Sequence, residues 1–156
     1  MGKKTGPNPT DRAKRGTKRS LLTDANGIPV GLAVAGANRN DFKLVAETLS
    51  QCPARRPMPT RRKPQGLCLD KGYDYDEARE IIAMFRYTAH IRCRGEEVKA
   101  LRRGHRARRW VVERTHSWMN RFRRILVRWE KRADTYEAML HLACGIIAWR
   151  SAGLLG

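Results

Sequence analysis

Two carboxylates stand out in a chain otherwise crowded with bases. Asp70 follows the short apolar run Gly66-Leu67-Cys68-Leu69, and Glu113 sits in Arg109-Trp110-Val111-Val112-Glu113-Arg114. Carboxylate oxygens are the hard donors that Mg²⁺ prefers, and a pair of them amid arginines can hold a metal ion while the arginines hold a phosphodiester. Each residue also has a plainer reading. Glu113 lies four residues after Arg109, and such a pair on a solvated helix face is worth only about a few tenths of a kcal/mol. Asp70 precedes Lys71-Gly72, a setting in which aspartate often simply forms a turn. His90, His105, His116 and His141 show no metal-ligand spacing, and Cys52, Cys68, Cys93 and Cys144 contain no C-x-x-C pair. Surface or core histidines and ordinary reduced thiols are expected, without zinc or disulfides.

The elements that must position these groups are legible in the surrounding pattern. Residues 66–69 read as a buried strand ending at Asp70, with Lys71-Gly72-Tyr73 as the turn. Asp74 and Glu77 have capping-box spacing for a helix over 77–85, whose Ala78, Ile81, Ile82 and Phe85 form one stripe, and 87–91 reads as another strand. Upstream, apolar runs at 20–23 and 28–34 flank Asp24-Ala25-Asn26-Gly27, whose Asn-Gly step tolerates positive φ, so a β-hairpin is expected. A short helix over 41–49 follows, with Asn40 as its N-cap. Residues 52–65 hold four prolines and several arginines and read as a long basic loop.

Around Glu113, a rotation of 100° per residue predicts a helix over 108–125. Val111, Thr115, Trp118, Phe122 and Ile125 fall on one side, and Arg109, Glu113, Ser117, Asn120 and Arg124 on the other. A last helix over 134–150 carries Tyr136, Leu140, Ala143, Ile146 and Ile147 on a broad apolar face, with Met139 and Trp149 read as core.

The chain has 156 residues, within the ~100–200 of one domain. Lysine and arginine total 33 against 15 acidic residues, and 33 − 15 gives a formal charge of +18. Such a charge makes nucleic acid the leading partner. Thirteen of the bases fall between Lys99 and Arg132, where phosphate contact is the obvious use. There His116 is a candidate DNA contact and Trp110 and Trp118 candidate base-stacking groups, although Trp118 lies on the apolar side. Residues 1–17 have almost no apolar side chain and read as a flexible basic arm, yet 41% of the whole chain is apolar, enough for a folded core. The longest apolar stretch, 138–149, is broken by His141 and falls short of the ~20 residues of a membrane span. With no hydrophobic run after Lys3-Lys4, the expected location is the cytoplasm.

The order Leu69-Asp70-Lys71-Gly72-Tyr73-Asp74, then Ile91-Arg92-Cys93-Arg94-Gly95-Glu96-Glu97, then Arg109-Trp110-Val111-Val112-Glu113-Arg114-Thr115-His116-Ser117-Trp118 resembles DDE-type transposases of bacterial insertion sequences, in the branch named after insertion sequence five. Gly6-Pro7-Asn8-Pro9-Thr10-Asp11-Arg12, Gly16-Thr17-Lys18-Arg19 and Gly36-Ala37-Asn38-Arg39-Asn40-Asp41 fit the same family. The resemblance implies an α/β, RNase H-like fold in which two Asp and one Glu surround two Mg²⁺ (or Mn²⁺) ions. It implies cleavage at transposon ends and attack of the freed 3′-hydroxyl on target DNA.

Asp70 matches the second carboxylate of that set and Glu113 the third. The arginine of the glutamate signature falls on Arg109, its tyrosine position on Arg106, and its lysine position on Asn120 with Arg121 adjacent. With Arg114, Arg124 and Lys71 these are the expected DNA contacts. The first aspartate has no counterpart, because Asp11 lies in a Pro-Thr-Asp-Arg loop and Asp24 in the hairpin turn. The expectation is therefore a truncated RNase H-like domain over 18–156, lacking its first strand and with a gap in its sheet. It would be incomplete alone, with an upstream reading-frame product supplying the missing aspartate and a homo-oligomer forming on DNA. The alternative is a basic nucleic-acid-binding module without catalysis, in which both carboxylates are structural.

Overall fold

A computed structural model describes residues 4–53, 56–91 and 110–153. The Asn26-Gly27 turn forms as its chemistry dictates: Gly27 has φ +82°, and Asp24 Oδ1 accepts the N–H groups of Asn26 and Ile28 at 2.9 and 2.8 Å. It joins β2 (Arg15–Thr23) to β3 (Pro29–Gly36) in an antiparallel ladder running from Thr17 opposite Gly36 to Leu21 opposite Leu32, with an irregularity between Leu22 and Thr23. A 3₁₀ turn (Asp41–Leu44) leads into α1 (Val45–Ser50). Next come β4 (Gly66–Leu69), α2 (Asp76–Met84) and β5 (Thr88–Ile91), and β4 and β5 pair in parallel as a second sheet. The described chain ends in α3 (Trp110–Asn120), α4 (Arg123–Leu126) and α5 (Ala133–Ser151).

Two apolar clusters result. The larger packs Leu32 and Val34 of β3 against Met119 of α3, Ile125 of α4, and Leu140 and Ile147 of α5. The smaller gathers Val45 and Leu49 of α1, Leu67 of β4 and Ile82 of α2. Helix α1 joins the two, touching β2, β3 and α2. The architecture is mixed α/β with two sheets, and no described helix is long and apolar enough to cross a membrane.

Several expectations change in the folded chain. Part of the arm expected over 1–17 is drawn into the sheet: β1 (Gly6–Pro7) pairs with Gly16 and Arg15, and Lys4 reaches Glu47 and Glu137 at 3.6 and 3.0 Å. Backbone pairing and ion pairs do here what an apolar side chain would otherwise do. The helix expected over 108–125 breaks after Asn120, where Phe122 is extended (φ −81°, ψ 93°) so that α4 can fold Ile125 back into the core. The residues before Trp110 lie outside the described ones, as do Cys93 and His105.

The buried stripe of α3 is Val111, Thr115 and Met119, and Trp118 is only half-buried beside it. Trp149, expected in the core, is 52% exposed because α5 is apolar around much of its circumference and buries one side. The capping box at Asp74 does not form. Tyr75 is the N-cap of α2, and Asp74 instead accepts from Arg79 at 2.6 Å. Asn40 stands at the helix entry but makes no side-chain cap bond.

Candidate functional site

A groove of about 810 Å³ runs between the two sheets. One wall is the unbroken run 19–25 of β2 and its turn, the other the unbroken run 66–70 of β4. Alternate residues of a strand point to opposite faces, so an unbroken run on a wall means that a strand edge, rather than a sheet face, looks into the groove. Among the described residues these edges carry no strand: β2 beyond Gly16 pairs only with β3, and β4 only with β5. The floor includes Val45 and Leu49 of α1, and the first turns of α3 close one side.

Asp70 and Glu113 both line this groove. Asp70 sits where β4 ends. Its Oδ1 accepts the Gly72 N–H at 2.6 Å, capping the 3₁₀ turn Lys71–Tyr73, so the turn-forming role is real and occupies one carboxylate oxygen. Glu113 projects from the exposed side of α3, in its first turn. Beside Asp70, the Tyr73 phenol is pushed up to about 12 by burial and by the charges of Asp41 and Asp70. It is a neutral group between two carboxylates at physiological pH. His116, one turn after Glu113, is pulled below its ordinary value by burial and by the Arg19 guanidinium. Both effects favour the neutral ring. Arg19 crosses from β2 to α3, donating Nη2 to Asn120 Oδ1 at 2.9 Å, while its Nη1 is buried without a hydrogen-bond partner.

Among the described residues the remaining expected contacts do not line the groove, and Arg121 borders a separate cavity with Trp118, Phe122 and Arg150. Lys71 is exposed beside Asp70, and Asn120, Arg121 and Arg124 are exposed on and after α3, with Arg124 Nε donating to Glu130 at 2.9 Å. Arg106 and Arg109 lie outside the described residues. Arg114 turns inward, its guanidinium stacked against Trp110 and Trp118. Asp24 faces the groove but spends Oδ1 on its own turn, and Asp41 pairs with Lys18 at 3.0 Å. Among the described residues no three His, Cys, Asp or Glu side chains converge as a metal cluster. Four carboxylates line the groove, Asp24, Asp41, Asp70 and Glu113, and their oxygens are donors of the kind a hard divalent cation prefers. Asp41, Tyr73 and Arg19 escaped the sequence reading because each looks locally like a helix entry, a turn residue or one base among many.

A family profile described as a transposase DDE domain matches residues 2–147. The chain is 41% identical over 157 residues to a protein of Burkholderia cepacia named as a transposase for the insertion sequence element IS402, in a match covering 95% of this chain and 70% of that protein. No solved structure matches.

Proposed function

Since the chain belongs to the DDE transposase family of insertion sequences, we propose that it binds the DNA of such an element and contributes Asp70 and Glu113 to a metal-dependent site for phosphodiester cleavage and strand transfer. The observation that carries this reading is the groove between the edges of β2 and β4, with both carboxylates on its walls. When bound, Mg²⁺ or Mn²⁺ would activate an attacking water or 3′-hydroxyl and neutralise the leaving oxygen. The chain's own part is to hold and grip. Asp70 offers the oxygen that its turn leaves free, Glu113 reaches in from α3, and Lys71, Asn120, Arg121 and Arg124, with Arg106 and Arg109, hold the sugar-phosphate backbone.

The groove also supports an RNase H-like reading over 18–156, in the branch named after insertion sequence five, with a central strand missing between β2 and β4. Two open edges facing one groove suit an extended segment that hydrogen-bonds to both, and its side chains would supply the third carboxylate. A product of an upstream reading frame is the candidate source, and a second copy of the chain would serve the second transposon end.

The test is Mg²⁺- or Mn²⁺-dependent nicking of a labelled insertion-sequence end. Residues 1–156 alone should bind duplex DNA with affinity falling ~10³–10⁵-fold between 50 and 200 mM salt, as for ~6–10 neutralised phosphates, and should not nick it specifically. With the upstream segment supplied in cis or in trans, nicking should appear and be lost in Asp70→Ala and Glu113→Ala alike. Specific nicking by the chain alone would refute the two-carboxylate reading. Metal binding unchanged by both substitutions would leave a passive DNA-binding module.

A further inference from the structure

Arg114 occupies a setting unlike that of the other bases around it. Its guanidinium lies 4.6 Å from the Trp110 ring and 4.8 Å from the Trp118 ring, one helical turn to either side. Residues four apart share one side of a helix, and a planar guanidinium stacks on aromatic faces as an ammonium cannot. Held in this ladder, Arg114 Nη2 donates to the Asn26 carbonyl at 2.5 Å. The next residue, Thr115, is fully buried, and its hydroxyl donates to the Gly27 carbonyl at 2.6 Å. Two consecutive side chains of α3 therefore fork over two consecutive carbonyls of the hairpin turn.

The turn is shaped for this fork. Gly27 has φ +82°, and a Cβ built there would stand 3.0 Å from Arg114 Nη2 and 3.1 Å from Thr115 Oγ1. Glycine is needed both for the left-handed backbone and for the close approach of the helix. Without the fork, α3 would rest on the core through the apolar side chains of Val111 and Met119. Apolar packing is non-directional and tolerates small rotations about the helix axis. Glu113 is adjacent in sequence to the fork and faces the groove, so any such rotation would change where its carboxylate stands relative to Asp70.

We propose that Arg114 is a positioning residue: with Thr115 it locks α3 onto the Asn26-Gly27 turn and so sets where the Glu113 carboxylate stands relative to Asp70. The inference rests on the reading of Asp70 and Glu113 as metal ligands, which tolerate only ~0.5 Å and ~10–20° of misplacement. It assigns Arg114 to the support of the site and away from the DNA-gripping set.

The experiment is a Mn²⁺ titration of the full chain followed by electron paramagnetic resonance, with amide chemical-shift mapping on the same samples. Asp70→Asn and Glu113→Gln test the site itself and should abolish specific Mn²⁺ binding. Arg114→Lys keeps the charge and removes the stacking plane, and Gly27→Ala pushes on the fork from the other side. Each should weaken Mn²⁺ affinity at least tenfold with circular dichroism unchanged, and the double variant should be little worse than either alone, because both break one device. If Glu113→Gln abolishes binding and Arg114→Lys binds as the parent does, the positioning role is wrong and the site stands. If Glu113→Gln has no effect on Mn²⁺, the ligand reading fails and the maps decide positioning. Shifts spreading from Arg114→Lys through Glu113 and across the groove to Asp70–Tyr73 support it, and shifts confined to 24–27 and 110–118 overturn it.

Discussion

The half of the molecule that carries Glu113 and the half that carries Asp70 are built on different scales. Glu113 stands on a helix packed against a long hairpin and the 19-residue α5, over a cluster that includes the fully buried Met119 and Leu140. Asp70 ends a four-residue strand in a two-stranded sheet covered by one nine-residue helix, with Ile82 the fully buried residue of its cluster. Two parallel strands under one helix bury little by themselves, and sheets this small are marginal without further packing. The smaller half leans on α1 to reach the larger one. A site drawn from both is only as well formed as that joint, and the open groove lies beside it.

The largest expected effect comes from the larger cluster. Leu140→Ala should cost near the top of the ~2–5 kcal/mol range for a buried leucine, because its neighbours belong to three helices and a strand and cannot all collapse inward. Denaturant melts should show one cooperative loss. Ile82→Ala should fall lower in the same ~2–5 kcal/mol range, and native-state hydrogen exchange should show residues 66–91 opening while the hairpin and α5 stay protected. Uniform loss of protection in Ile82→Ala would mean that the two halves are one cooperative unit and would break the comparison.

The joint itself is tested at Gly31, where a Cβ would stand 2.7 Å from the Thr48 carbonyl of α1. Backbone cannot yield as a flexible side chain can, so Gly31→Ala should cost about 1–3 kcal/mol by overpacking and should raise exchange in α1 ahead of either core. A smaller, pH-dependent effect belongs to His116. Its folded value lies below the ordinary 6.5, so just below that pH the unfolded chain binds more protons and stability must fall as pH falls. The melting temperature should decline on the acid side of about pH 6.5, and His116→Asn should flatten that decline. An acid limb equally steep in the variant would assign it to other groups.

Much of this architecture could be read without coordinates. The Asn-Gly hairpin, the strand ending at Asp70, a second strand after α2 and the amphipathic side of α3 follow from turn chemistry and apolar period, which act over a few residues, whereas the parallel pairing of β4 with β5 does not. The same local reasoning placed Glu113 on an exposed helix side and Asp70 in a turn that it helps to form. Charge and composition were enough to point to nucleic acid.

What the local pattern could not decide depends on partners distant along the chain. The break after Asn120 is imposed by Ile125 turning into a core shared with β3 and α5. Trp118 and Trp149 are equally apolar in sequence, yet one is half-buried against that core and the other faces out, since which side of a helix finds a neighbour is set by the elements that pack on it. Arg114 reads as one more base for phosphate until the hairpin turn arrives from 88 residues away to receive it. The meeting of Asp70 and Glu113 on one groove is likewise tertiary. Each residue's local setting is satisfied by itself, and only the packing of two sheets around α1 leaves both carboxylates looking into the same space.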